Sequence, residues 1–293
     1  MPDPSGVPHA TQPPDAAAVA DLVAARARVL AAIAGACARC GRQPAEVTLV
    51  AVGKTVDGAR LRAAVAAGFA DLGENRVQEA AEKVPVVPGA TWHLVGPLQA
   101  NKARRAVAIF DVVETVDSVA LAARLARICA EVRPDRPLPV FLQVNVDADP
   151  AKAGFAPGEL EDALPTLAGL ANLELLGLMT VGRAVATAEA ARPTFRALRE
   201  LSERLRERGI QLAGSDGATG LAPRGLGPGL SMGMSDDYPV AIEEGATLVR
   251  VGRAIFGQRP SPSPGGAAGG TERDGQPSGE RSFARARPGR LLQ

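Results

Sequence analysis

The sequence predicts an α/β fold, a closed (β/α)8 barrel of the TIM type, and three observations carry that reading. Eight short apolar runs each end in a polar or glycine-bearing segment: Gly53-Lys54-Thr55, Gly73-Glu74-Asn75, His93-Leu94-Val95-Gly96, Thr115-Val116-Asp117, Gln143-Val144-Asn145, Met179-Thr180, Ser231-Met232-Gly233-Met234-Ser235 and Arg250-Val251-Gly252. Between most of them lie stretches of helical period rich in Ala, Leu and Arg, as over residues 59–67, 118–132 and 186–208, and strands alternating with helices call for a parallel sheet. Eight such units in roughly 210 residues suit a closed barrel better than an open doubly wound sheet. A barrel gathers every strand end at one mouth, whereas an open sheet spreads them along an edge.

Taken in order, residues 1–16 are expected to be disordered, since five prolines precede Asp15 and no apolar period is present. The barrel is expected over residues 17–259, beginning with an N-terminal helix whose last turns carry Cys37 and Cys40. Residues 47–52 form the first strand-like run, which gives way to Gly53 and Lys54. Residues 213–229 are Gly-rich and predict an extended loop before the Ser231 to Ser235 segment. Residues 260–293, dominated by Pro, Gly, Ser and Arg, predict a disordered tail. Its arginines have only Phe283 among them as an aromatic, which favours a solvated tail over a nucleic-acid arm.

Composition excludes several classes. The 33 basic and 32 acidic side chains leave a formal charge of +1, which gives no global bias toward nucleic acid or an anionic membrane. No apolar run reaches the roughly 18 residues of a membrane span, and the N-terminus is Pro-rich and acidic, so a cytoplasmic protein is expected. Three cysteines are too few for a disulfide framework. Cys37-Ala38-Arg39-Cys40 has CxxC spacing, but with only His9 and His93 as histidines there is no second half to a metal shell, and no metal is expected.

Lys54 is the residue from which the chemistry is read. A lysine amine at the open end of a buried strand is the group that condenses with an aldehyde to form a Schiff base. Alone it would read as a solvated strand cap; the other strand ends change that. The Gly233-Met234-Ser235 turn, followed by Asp236-Asp237 and a helical stretch, offers backbone donors and a hydroxyl to an anion, and Val251-Gly252-Arg253 supplies a second glycine turn. Loops after strands seven and eight are where barrels most often hold phosphate. Arg250, if it points inward, would keep an adjacent pyridine nitrogen unprotonated, because neighbouring cations repel. These are the parts a phosphorylated aldehyde cofactor needs.

The segments Ala51-Val52-Gly53-Lys54-Thr55, Gly73-Glu74-Asn75-Arg76-Val77-Gln78-Glu79, Trp92 to Lys102, Gln143-Val144-Asn145-Val146, Leu230 to Asp237 and Val249 to Gly257, six in order, resemble the pyridoxal 5'-phosphate (PLP) homeostasis proteins, the YggS/PROSC family. That resemblance implies a barrel of the alanine racemase N-terminal domain type, without the racemase's C-terminal β domain. It implies that Lys54 is the Schiff-base lysine, that Ser235 with the backbone of Gly252 and Arg253 holds the phosphate, and that Arg250 lies by the ring nitrogen. Asn75 and His93 would line the ring from strands two and three, and Lys152 would help pass the cofactor in or out, unless it is a solvated loop lysine. Glu74, Gln99 and Asn101 line the ring or fix loops by hydrogen bonds. The chain departs from the family's usual Ser at Gly53, its frequent Tyr at Arg76 and its common Thr or Ser at Arg253.

The function implied is vitamin B6 homeostasis, storage and transfer of PLP without substantial turnover, with apo forms of PLP-dependent enzymes as partners and a monomer expected. The alternative is a PLP-dependent amino-acid racemase. A racemase wants a second acid or base on the ring face opposite the lysine, and the only tyrosine, Tyr238, follows the phosphate turn.

Overall fold

Among the described residues, 13–208 and 229–257 of a computed structural model, eight parallel strands close on one another in sequence order. They are β1 (Thr48–Val52), β2 (Asp71–Glu74), β3 (Thr91–Leu94), β4 (Val112–Val116), β5 (Leu138–Gln143), β6 (Leu173–Met179), β7 (Gly229–Ser231) and β8 (Leu248–Val251). The ring is completed by β8 pairing with β1, in the register Val50 opposite Arg250. The predicted barrel is therefore the observed one. The expected 213–229 loop lies outside the described residues except for Gly229, which opens β7, and the 260–293 tail lies wholly outside them.

Helices α1 (Ala16–Arg39), α2 (Gly58–Ala66), α3 (Val77–Lys83), α4 (Ala103–Ile109), α5 (Val119–Val132), α6 (Pro157–Ala168), α7 (Arg192–Glu207), α8 (Tyr238–Glu243) and α9 (Arg253–Phe256) surround the strands. Their starts are written in the sequence. Asp15 accepts from the amides of Ala17 and Ala18, so α1 begins at Ala16, the last residue of the stretch expected to be disordered. Asp57 caps α2 through the Arg60 amide at 2.8 Å, and Ser118 caps α5 through that of Leu121 at 3.3 Å. As expected, Cys37 and Cys40 lie at the last turns of α1, Cys37 buried and Cys40 capping its end; both are free thiols.

Strand alternation divides the apolar residues into two cores. The larger fills the space between barrel and helices, with Leu22, Leu61, Leu72, Leu94, Leu125 and Phe195 all buried. The smaller lies inside the barrel and includes Val50, Val52, Phe141, Leu176 and Leu248. The interior is not wholly apolar: His93, Glu114, Ser231 and Arg250 are all buried.

Outside the barrel, Glu244 at the end of α8 is buried and accepts from Arg192 at 3.1 Å, Arg196 at 3.2 Å and Arg199 at 3.4 Å, which ties α7 to α8. A carboxylate at a helix C-terminus opposes the helix dipole, so these arginines hold it there. Glu244→Ala should lower stability by about 1–2 kcal/mol, less than the loss of a fully buried pair because the arginines left behind can turn to solvent. An unchanged urea midpoint would show the cluster to be energetically idle.

Candidate functional site

The C-terminal ends of the strands form the mouth, and Lys54 stands two residues beyond β1, half-buried. The turn that presents it is held from several sides. The Gly53 amide donates to Gly73 O at 2.8 Å, and the Val56 amide donates to Gly53 O at 3.0 Å. Thr55 adopts a φ of 67°, a left-handed conformation costly for a β-branched residue. Lys83 of α3 donates to Gly53 O at 3.1 Å and to Glu74 Oε1 at 2.7 Å. Glu74 is fully buried, its Oε2 has no hydrogen-bond partner, and burial pushes its pKa up against the opposing effect of Lys83. Leu61 accounts for the glycine at 53: a Cβ there would lie 2.7 Å from Leu61 Cδ2, so leucine fills the space a serine would use.

At the other side of the β1 end, Ser235 Oγ accepts from the amides of Gly252 at 3.3 Å and Ala254 at 3.4 Å. Gly233 makes the preceding turn with a φ of 92°, where a Cβ would strike Ala241 Cβ at 2.6 Å. Gly252 lies so near β1 that a Cβ would sit 3.0 Å from Val52 O, which brings these donors to the strand end that carries Lys54. The Arg253 side chain is exposed and paired with Asp236. Asn75 is half-buried just past β2.

Arg250 points into the barrel. Its Nη1 donates to Ser231 Oγ at 2.5 Å and its Nη2 to Thr180 O at 2.7 Å. Ser231 Oγ donates in turn to Glu114 Oε2 at 2.6 Å, and Glu114 Oε1 accepts from His93 Nδ1 at 2.8 Å. His93 Nε2 reaches Asp71 Oδ1 at 3.2 Å. Burial alone would depress the His93 pKa, but its hydrogen bonds to Asp71 and Glu114 prevail and hold it at about 9, so it is cationic at neutral pH.

This arrangement corrects one expectation. His93 does not line the mouth beside Asn75; its ring is buried inside the barrel between two carboxylates, one of them on the first residue of β2. Lys152 is neither a solvated lysine nor a free amine: Nζ donates to Val181 O at 2.9 Å and to Gly182 O, fastening the β5 loop to the β6 loop. Asn145 helps shape that loop by donating to Asp149 O at 2.8 Å. Lys83, Glu114, Asp71 and Ala254 were not singled out from sequence. Only Glu114 left a signal there, as a lone charge in the run Val112-Val113-Glu114-Thr115-Val116. Among the described residues there is no His, Cys, Asp and Glu grouping fit for a metal ion, and no helix long and apolar enough to cross a membrane.

The chain matches the family "Alanine racemase, N-terminal domain" over residues 30–260. It is 41% identical over 238 residues to the pyridoxal phosphate homeostasis protein of Pseudomonas aeruginosa, a match covering 80% of this chain and 94% of that protein. Among solved structures it is similar to PipY of Synechococcus elongatus PCC7942 with PLP bound, at 40% identity and a TM-score of 0.63, covering 77% of this chain and all of that one. An alanine racemase from Corynebacterium glutamicum shares the fold at 18% identity and a TM-score of 0.58, the match covering 82% of this chain and 62% of the racemase.

The His93 cation has a measurable consequence for stability. Its folded pKa, about 9, lies above the ordinary value of 6.5, so its contribution is complete below pH 6.5 and is lost as pH rises through 9. Wild-type stability should fall across this window by on the order of 3 kcal/mol, and His93→Gln should flatten the slope. Urea midpoints measured from pH 6 to 10 test this; parallel profiles for the two proteins would refute the buried cation.

Proposed function

The chain belongs to the alanine racemase N-terminal domain family, and from that membership we propose that it binds PLP at the barrel mouth and holds it for supply to other enzymes. The observation that carries this reading is the meeting, at adjoining strand ends, of one lysine amine with a hydroxyl and two amides able to face an anion. The residues fit the cofactor. The Gly252 backbone is bare where a side chain would crowd Val52, and the last strand sends a guanidinium, Arg250, inward.

Bound PLP supplies an electrophilic aldehyde and an electron-withdrawing ring. In this assignment Lys54 holds the aldehyde carbon. Ser235 and the backbone of Gly252, with the neighbouring amides of Arg253 and Ala254, bind the phosphate, where donors at a helix start favour a dianion. Asn75 lines the ring, and Arg250, which cannot readily give up its proton, keeps the ring nitrogen unprotonated. His93 acts at one remove, through Glu114 and Ser231. Lys152 keeps the loop over β5 and β6 in place, and any part in transfer follows release of the carbonyls it holds.

Storage is favoured over turnover. A racemase needs a second acid or base on the far face of the ring. Tyr238 is the only tyrosine of the chain and is buried at the start of α8, where burial raises its pKa. We assign apo forms of PLP-dependent enzymes as the recipients, a monomer as the working form and the cytoplasm as the compartment where those enzymes take up cofactor.

Two outcomes are expected. Lys54→Ala should lose the long-wavelength absorption of the PLP-loaded protein, and borohydride should no longer fix the cofactor to the chain. Chiral analysis after incubation with L- and D-alanine should show no useful racemisation, while an added apoenzyme regains activity. Robust racemisation that vanishes in Lys54→Ala would restore the enzyme alternative.

Phosphate recognition should dominate affinity. Ser235→Ala should cost about 1–2 kcal/mol of PLP binding, the scale of a hydrogen bond to a charged group. Direct titration of PLP and of pyridoxal measures it; equal affinity for the two would sink the cradle assignment.

A further inference from the structure

A cavity of about 400 Å³ opens at the end of the barrel opposite Lys54. Thr48, Asp71, Thr91 and Leu248, the first residues of their strands, lie around it. Its size is that of a small-molecule site, and its walls combine apolar surface with a few convergent polar groups. The apolar part includes Phe69, Phe141 and Leu176. The charged part is Arg26 of α1 with Asp71 and His93.

The charges do not cancel. His93 is matched by Asp71 and Glu114, at 3.2 and 2.8 Å. Arg26 has no carboxylate partner among the described residues. The cavity therefore presents one unmatched guanidinium beside apolar walls, and a guanidinium fork is the group that best grips a carboxylate. A second, independent observation is the buried chain that starts in the cavity: His93 lines it and continues through Glu114 and Ser231 to Arg250. Each step is a hydrogen bond of a buried group, so rearrangement at one end changes the partners available at the other.

We propose that the N-terminal cavity is a second ligand site, for a small carboxylate with an apolar body, and that its occupancy is transmitted to the cofactor site through His93, Glu114, Ser231 and Arg250. The carboxylate sits on Arg26 and the apolar body on Phe141 and Leu176. A carboxylate near His93 competes with Asp71 for Nε2, which alters how tightly Glu114 holds Ser231 and thereby the seat of Arg250. The coupling is reciprocal, as linkage requires: PLP must change carboxylate affinity by the same factor. This transmission rests on the PLP reading of the mouth; the cavity itself does not.

Isovalerate and 3-phenylpropionate, with isovaleramide as an uncharged control and inorganic phosphate as an anion without an apolar body, would be titrated into the full chain by calorimetry. Both carboxylates should bind saturably, neither control should, and Arg26→Gln should weaken the carboxylates about tenfold, the loss of a charge-assisted contact. The PLP titration would then be repeated with saturating isovalerate. The dissociation constant for PLP should shift by about fivefold or more, and the shift should vanish in Arg26→Gln and in Glu114→Gln, with Ser231→Ala as the second uncoupling variant should Glu114→Gln not fold. No carboxylate binding, undiminished binding by Arg26→Gln, or equal binding of phosphate would overturn the site. Carboxylate binding that leaves PLP affinity unmoved would overturn the coupling. Carboxylate binding by a chain that takes up no PLP at all would uphold the cavity and refute the reading of the mouth.

Discussion

The constraint on which the barrel interior depends is the burial of Arg250. A guanidinium cannot shed its charge as a lysine can, so placing it inside the barrel obliges the surrounding strands to satisfy it. Thr180 on the β6 side gives a backbone carbonyl, Ser231 of β7 a hydroxyl, and Glu114 of β4 a countercharge 3.9 Å away. Glu114 is itself fully buried and takes His93 as a second partner, and His93 takes Asp71. Five strands thus contribute side chains to one chain of bonds, β8, β7, β4, β3 and β2. Removing any member takes a hydrogen bond from a neighbour, which is why so polar an interior implies a fixed arrangement rather than a loose one.

The mouth is organised by the opposite means, with backbone approach doing what side chains do inside. Gly252 permits β8 to come against Val52, Gly233 permits the turn that presents Ser235, and Lys83 binds the carbonyl of Gly53 from outside the barrel. The left-handed Thr55 directly after Lys54 is a strain that the Gly53, Glu74 and Lys83 contacts must offset. Lys54 is therefore set by a turn clamped on both flanks. Gly53 and Leu61 form one packing solution, since the leucine occupies the volume released by the missing side chain.

Much of this was legible in sequence, for identifiable reasons. The barrel could be read because its signal is repeated, each strand end marked by a change from apolar run to Gly or polar residue. The place of Lys54, Ser235, Gly252 and Arg250 at or beside strand ends could be read because each lies within or next to such a mark. His93 was misplaced because a strand residue near the C-terminal end can still send its side chain down the barrel axis, and the carboxylates that draw it there come from strands two and four. Lys83 and Glu74 are nine positions apart, on no shared periodicity, so only the folded chain reveals that together they hold the Lys54 turn. From sequence Lys152 reads either as a lysine that helps pass the cofactor or as a solvated loop lysine, because the carbonyls it binds, Val181 and Gly182, are distant in sequence.

The two ends of the barrel differ in a way that bears on function. On the proposed reading, the mouth offers one nucleophilic amine and several fixed donors, a combination that binds strongly and catalyses little, because among the described residues no group has been assigned to move a proton on the opposite ring face. On that reading, tight binding without turnover creates a problem of release. In that assignment the phosphate contacts are made by backbone amides, which do not titrate near neutral pH, and Arg250 is a guanidinium, whose pKa burial lowers from a very high ordinary value. His93, whose pKa is held at about 9, faces the cavity at the far end rather than the mouth. On the proposal above, affinity for the cofactor is adjusted through the buried partners of Arg250, and the end of that chain open to a small ligand is the one beside Arg26.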